Sequence, residues 1–187
     1  MVQSRTRARV ISKEVLKGLV GAGGLAGVII APNSLLLVDK YMKHIDRRNA
    51  RHTLKYLKYR KLIQVKDVKG ELEYKLTSKG WDKYEKIVLE ELEIKTPRKW
   101  DYKWRLVMFD IPTYKRAQRD HLLQKLKDLN FYMLQQSAWI HPFGCEKQVG
   151  ILLQILNLEK HVSYIVVEDG NFVDHATRYF QKHKLLL

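Results

Sequence analysis

The sequence predicts an α+β protein in two parts, and three observations predict it. Residues 47–61 read as an amphipathic, strongly cationic helix followed by two alternating strand patterns. Past Lys95-Thr96-Pro97-Arg98-Lys99, apolar strand runs and helical periods succeed one another in the order βαββαβ. The charge divides at the same place. The 187 residues carry a net +15, but residues 1–100 hold 23 Lys/Arg against 11 Asp/Glu, and residues 101–187 hold 12 against 9. A basic front half and a near-neutral rear half point to an anionic partner for the front.

In order, Arg5, Arg7 and Arg9 make a basic tail, and Ser12-Lys13-Glu14-Val15-Leu16 is a helix start. Gly18 to Val38 then runs 21 residues without a charge. Its length and basic flank imitate a membrane span or a signal peptide. Five glycines and the break at Pro32-Asn33-Ser34 argue instead for a first helix and a tight turn buried in the N-terminal part. Asn33 or Ser34 can cap a second helix, whose apolar face is Val38, Tyr41, Met42 and Ile45. Asp46 ends that helix and helps to cap the next.

That next helix, Arg47 to Lys61, holds seven Lys/Arg and no acid. Ala50, Leu54 and Leu57 fall on one stripe, fit to pack on a core. Arg48, Arg51, His52, Lys55 and Tyr59 fan over the opposite face, with Arg47 and Lys58 at its edges. Leu62 to Lys66 and Glu71 to Leu76 alternate as two strands around a four-residue turn, Asp67 to Gly70. Ile63 and Val65 share a side with Leu72, Tyr74 and Leu76, leaving Lys66, Lys69 and Lys75 for phosphates. Thr77-Ser78 caps a closing helix through Trp81, Tyr84, Ile87, Val88 and Leu92. Helix, helix, basic helix, hairpin, helix is the order of a winged helix-turn-helix, and Leu76-Thr77-Ser78-Lys79-Gly80 resembles the usual exit from the wing in such regulators.

The boundaries expected are 1–94 for this domain, 95–99 for a linker and 100–187 for the second domain. In the second, Arg105 to Phe109 is a buried strand halted by Pro112. Thr113 caps a helix with Leu122, Leu126 and Leu129 inward. Phe131 to Leu134 and Ser137 to His141 are strands, Glu146 to Leu156 is a helix burying Val149, Leu152, Leu153 and Leu156, and Val162 to Val167 is the last strand. An extra helix carries Phe172, Ala176, Tyr179 and Phe180. This is a ferredoxin-like sandwich with an addition. The single cysteine, Cys145, is expected buried and excludes an internal disulfide, which fits a reducing, cytoplasmic setting.

Trp100-Asp101-Tyr102-Lys103-Trp104-Arg105-Leu106-Val107-Met108-Phe109-Asp110-Ile111-Pro112, with Leu134-Gln135-Gln136-Ser137-Ala138-Trp139, resembles two related families. One is the CRISPR adaptation endonuclease that partners the spacer integrase, a ferredoxin-like homodimer. The other is the PaaX-like repressor of phenylacetate degradation, which joins a winged helix to a domain of that fold and so matches the domain order. The repressors have a further C-terminal region, so their acyl-coenzyme A response is not carried over. The nuclease resemblance implies metal binding at Asp110. A lone carboxylate holds magnesium poorly, whereas two copies facing across a dimer axis could share one ion. The structural alternative is that Asp110 caps the following turn or pairs with Lys115 or Arg116.

The expectation is therefore a homodimeric, double-stranded-DNA-binding transcriptional regulator, repressor-like, that needs no cofactor to bind DNA. The other reading is a CRISPR-associated endonuclease using Mg²⁺ or Mn²⁺ at Asp110, its implied partner a CRISPR integrase. A membrane location is not expected.

Overall fold

The computed structural model describes residues 2–23, 28–31 and 46–186. They divide into two compact units, 1–90 and 91–187.

The first unit runs α1 (Val2–Gly23), β1 (Val28–Ala31), α2 (Arg47–Tyr59), β2 (Ile63–Val68), β3 (Glu71–Leu76) and α3 (Ser78–Glu91). Two expectations are corrected at its start. The arginine tail is not a tail: α1 begins at Val2 rather than Ser12, because no proline or glycine interrupts residues 2–17. The glycine-rich stretch is not helix and turn alone, since Val28–Ala31 forms a strand antiparallel to β3, from Val28 opposite Lys75 to Ala31 opposite Leu72. A four-residue apolar run carries too little periodicity to announce a strand. The expected second helix and its caps, Asn33 to Ile45, lie outside the described residues. Among those described, no helix is long and apolar enough to cross a membrane.

The basic helix forms where expected. The Asp46 carboxylate accepts from the Asn49 backbone N–H at 3.0 Å, satisfying one orphan donor of the first turn. At the far end Leu62 N–H donates back to Leu57 O at 2.9 Å around Lys61, whose φ of 57° turns the chain into β2. Ala50, Leu54 and Leu57 are buried against Val15, Leu16 and Leu19 of α1, Tyr74 and Leu76 of the hairpin, and Ile87 of α3. Each such leucine is worth about 2 kcal/mol of transfer free energy.

The hairpin turn is tighter than the four residues expected. Asp67 and Val68 belong to β2, and only Lys69 (φ 56°) and Gly70 (φ 84°) turn the chain, with Asp67 accepting from Gly70 N–H at 2.9 Å. Two successive residues with positive φ suit the twist of a two-residue hairpin. At its exit Thr77 caps α3 by accepting from Gly80 N–H at 3.0 Å.

The second unit contains β4 (Trp104–Phe109), α4 (Arg116–Asp128), β5 (Tyr132–Gln135), β6 (Ala138–His141), α5 (Glu146–Leu156), β7 (Val162–Val167) and α6 (Val173–Lys182). Its antiparallel sheet has the order β5-β6-β4-β7. With both crossover helices present, this is the ferredoxin-like βαββαβ arrangement. Leu122, Leu126, Val149 and Leu152 are fully buried, as are Val107 and Trp139 on the sheet. Cys145, at the head of α5, lies 3.9 Å from the Tyr164 hydroxyl on that same side. Thr113 does not cap α4. Thr113–Lys115 forms a single 3₁₀ turn, and the helix starts after Lys115 without a side-chain cap.

Strand register separates the two sides of this sheet. Trp104, Leu106 and Met108 share a side with Val167, Ile165 and Ser163, and with Ile140, Ala138 and Tyr132. None is charged. The helix α6 covers one end of this side, burying Ala176 and Phe180 with Trp104 and Ile140, and stacking Tyr179 on Tyr132 at 4.4 Å. The other end stays open, with Met108 43% and Ile165 40% exposed.

Candidate nucleic-acid interface

The solvent side of α2 is built from spacing. Arg48, Lys55 and Tyr59 recur at seven and four residues, so they stack along the helix opposite the buried stripe, with Arg51 and His52 beside them. All five are exposed, Tyr59 to 83%. Arg48, Arg51, Lys55 and Lys58 have no carboxylate partner among the described residues. Arg47, Arg48, Arg51, His52, Lys55 and Lys58 line a concavity of about 820 Å³, with Leu54, Val65 and Tyr74 among its described walls. Cations gathered in a concave surface raise the local concentration of anions.

The hairpin contributes less charge than its three lysines promised. Lys66, Lys69 and Lys75 are exposed, but Lys66 stands directly opposite Glu73, and Asp67 and Glu71 flank the turn. Three cations and three anions leave the hairpin neutral. Of α2 and the hairpin, the helix therefore carries the positive charge. Sequence reasoning missed Arg60, whose guanidinium lies over the Tyr56 ring at 5.8 Å.

Asp110 is exposed at the end of β4, its backbone N–H donating to His161 O at 3.0 Å. The 3₁₀ turn that follows has no side-chain cap, and the two cations expected to pair with Asp110 have other contacts. Lys115 donates to Asn157 O at 2.5 Å, and Arg116 faces Asp120 at 3.8 Å. No cluster of three or more His, Cys, Asp or Glu side chains able to hold a metal occurs among the described residues. One carboxylate per chain is a poor match to the octahedral oxygen shell of magnesium.

The Trp100 to Pro112 motif does structural work. Asp101 receives both terminal nitrogens of Arg105, and the guanidinium also donates to Lys103 O at 2.6 Å and Pro142 O at 2.9 Å. The hydrogen bond from Arg105 holds the Asp101 carboxyl down at a pKa of about 2. Trp100 donates to Pro142 O at 2.7 Å and packs edge-on to Trp104 at 5.0 Å. No periodic sign announced this pair, since a spacing of four marks neighbours on a helix and these residues lie at the entry to a strand. Cys145 is buried as expected, and burial pushes its thiol up to about 11. Burial likewise pushes His141 down to about 4, while its Nδ1 accepts from Phe143 N–H at 3.1 Å.

The fold, the motif and its hydrogen bonds define the second unit as a ferredoxin-like domain locked at its first strand. Residues 97–178 match the family model described as the PaaX protein central Cas2-like domain. The second unit is thus similar to that central domain, in agreement with the resemblance carried by Trp100 to Pro112 and Leu134 to Trp139. No curated protein matches the chain.

Proposed function

We propose that this protein is a transcriptional regulator that binds double-stranded DNA as a homodimer, acting in the cytoplasm. The observation that carries this reading is the face of α2: seven Lys/Arg and no acid across 47–61, presented to solvent on a helix whose other side is anchored in a core. Such a helix fits a major groove about 12 Å wide. The first unit then acts as a winged helix-turn-helix, α2 being the reading helix and the β2–β3 hairpin the wing. Arg48, Arg51, His52 and Lys55 meet base edges, while Arg47, Lys58, Tyr59 and the wing lysines Lys66, Lys69 and Lys75 rest on the backbone. The wing, being neutral, orients more than it attracts. The similarity of residues 97–178 to the central domain of PaaX proteins supports a repressor-like role. Two copies join through the uncharged side of the second sheet and present two reading helices to a near-palindromic site. Footprinting after selection of preferred sites tests this. Arg51→Ala with Lys55→Ala loses the footprint while the fold stands; a retained footprint removes α2 as the reading helix.

A second reading rests on the exposed carboxylate of Asp110, which has no partner among the described residues. Two copies could bring two such groups together around Mg²⁺ or Mn²⁺ in an endonuclease serving a CRISPR integrase. Metal-dependent cleavage by the wild type that disappears in Asp110→Ala would favour it over the regulator.

A further inference from the structure

Between α3 and β4 lies a short surface that neither the reading helix nor the sheet uses. Lys95, Arg98 and Lys99 are all exposed and have no carboxylate partner among the described residues. Of the acids near them, Asp101 and Glu168 are paired, while Glu93 is exposed two residues before Lys95. Asp101 is spent on Arg105 and Glu168 on Lys103, at 2.8 Å. Within 95–102 itself, three exposed cations stand against one acid, Asp101, which is paired with Arg105.

Tyr102 stands within this segment in an unusual state. Its φ of 58° is the left-handed conformation that costs a bulky side chain about 1–2 kcal/mol. Yet its ring is 69% exposed, resting on Trp100 at a centroid distance of 5.2 Å. Glycine or asparagine would make the same turn at lower cost. An aromatic ring displayed beside unpaired cations is the arrangement that grips a nucleic-acid backbone, cations on phosphates and ring on sugar or base.

We propose that Lys95–Tyr102 is a second DNA-contacting element, in which Arg98 and Lys99 neutralise phosphates and Tyr102 packs against a deoxyribose. It rests on the regulator reading and extends it: the contact adds affinity and lengthens the bound site without reading sequence.

The full chain is tested by fluorescence anisotropy over a salt series on short and flank-extended duplexes. The proteins are wild type, Arg98→Ala with Lys99→Ala, Tyr102→Gly, and Arg51→Ala with Lys55→Ala. Removing two phosphate contacts per copy should weaken binding to the extended duplex roughly tenfold or more and flatten the salt slope by about two per copy, with site preference unchanged. Tyr102→Gly should also weaken binding while melting no earlier than wild type, since glycine relieves the left-handed strain. If both linker variants bind like wild type while the α2 variant does not, this inference is overturned and the regulator reading stands. If wild type ignores DNA at low ionic strength, the regulator reading itself fails.

Discussion

Gly80 sits against the carbonyl of Leu62 so closely that a Cβ on it would lie 2.0 Å from that oxygen. The same carbonyl accepts from Thr77 N–H at 3.1 Å, and the Thr77 hydroxyl donates to Lys61 O at 2.7 Å. One short motif thus fastens the exit of the hairpin to the end of the basic helix, fixing where its cations point. Gly80→Ala forces backbone apart and should cost about 3 kcal/mol. Thr77→Val, which removes the cap and the tie to Lys61, should cost about 1–2 kcal/mol, and Thr77→Ser should restore most of it. Urea unfolding of the full chain checks all three.

The Asp101–Arg105 pair makes a parallel prediction in the second unit. Arg105 is buried and has one carboxylate partner among the described residues. Asp101→Asn keeps the shape but leaves the guanidinium without its counter-charge. Because the Asp101 side chain is half exposed, water offsets part of the loss, and about 1–3 kcal/mol is expected. The Asp101 pKa is depressed on folding, so its contribution is full above its ordinary 3.8 and is lost as pH falls toward about 2. An acid melt of Asp101→Asn should lack that final loss.

His141 adds a milder window. It is buried among Phe131, Phe143 and Phe180, and its folded pKa of about 4 lies below the ordinary 6.5. The unfolded chain therefore takes the proton first. Stability is full above pH 6.5, declines as pH falls to about 4 and levels off below, a total of about 3 kcal/mol for this group. His141→Asn should flatten the stability curve across that interval, which denaturant melts at stepped pH would reveal.

The open end of the uncharged sheet side predicts an oligomeric effect. Met108→Lys with Ile165→Glu places charges where a second copy is proposed to dock, without touching residues buried in the core. Sedimentation should show dimeric wild type and a monomeric, folded variant. A monomeric wild type would remove the proposed interface.

Periodicity made most of this architecture legible. The alternation of Ile63, Val65, Leu72, Tyr74 and Leu76 set one face of the hairpin, and Val149, Leu152, Leu153 and Leu156 set the buried face of α5, because burial repeats with backbone geometry. Short-range surprises escaped. Val28–Ala31 is too brief to announce a strand, and Thr113 has capping chemistry but sits in a 3₁₀ turn ahead of its helix. The cations of α2 were readable as a face. The neutrality of the hairpin is a count the sequence already holds, but only register shows that Lys66 faces Glu73. The fastening of Leu62 by Gly80 is a close approach between distant residues and leaves no periodic trace.

The central claim is that the cations of α2 grip duplex phosphate. It is tested most directly by the salt dependence of binding to a preferred duplex, for wild type and for Arg51→Ala with Lys55→Ala. The account predicts a steep linear fall of log affinity with log salt for wild type. If one of the two replaced cations meets a phosphate, the slope of the variant is shallower by about one per copy, and by about two if both do. Equal slopes and affinities for the two proteins would contradict it.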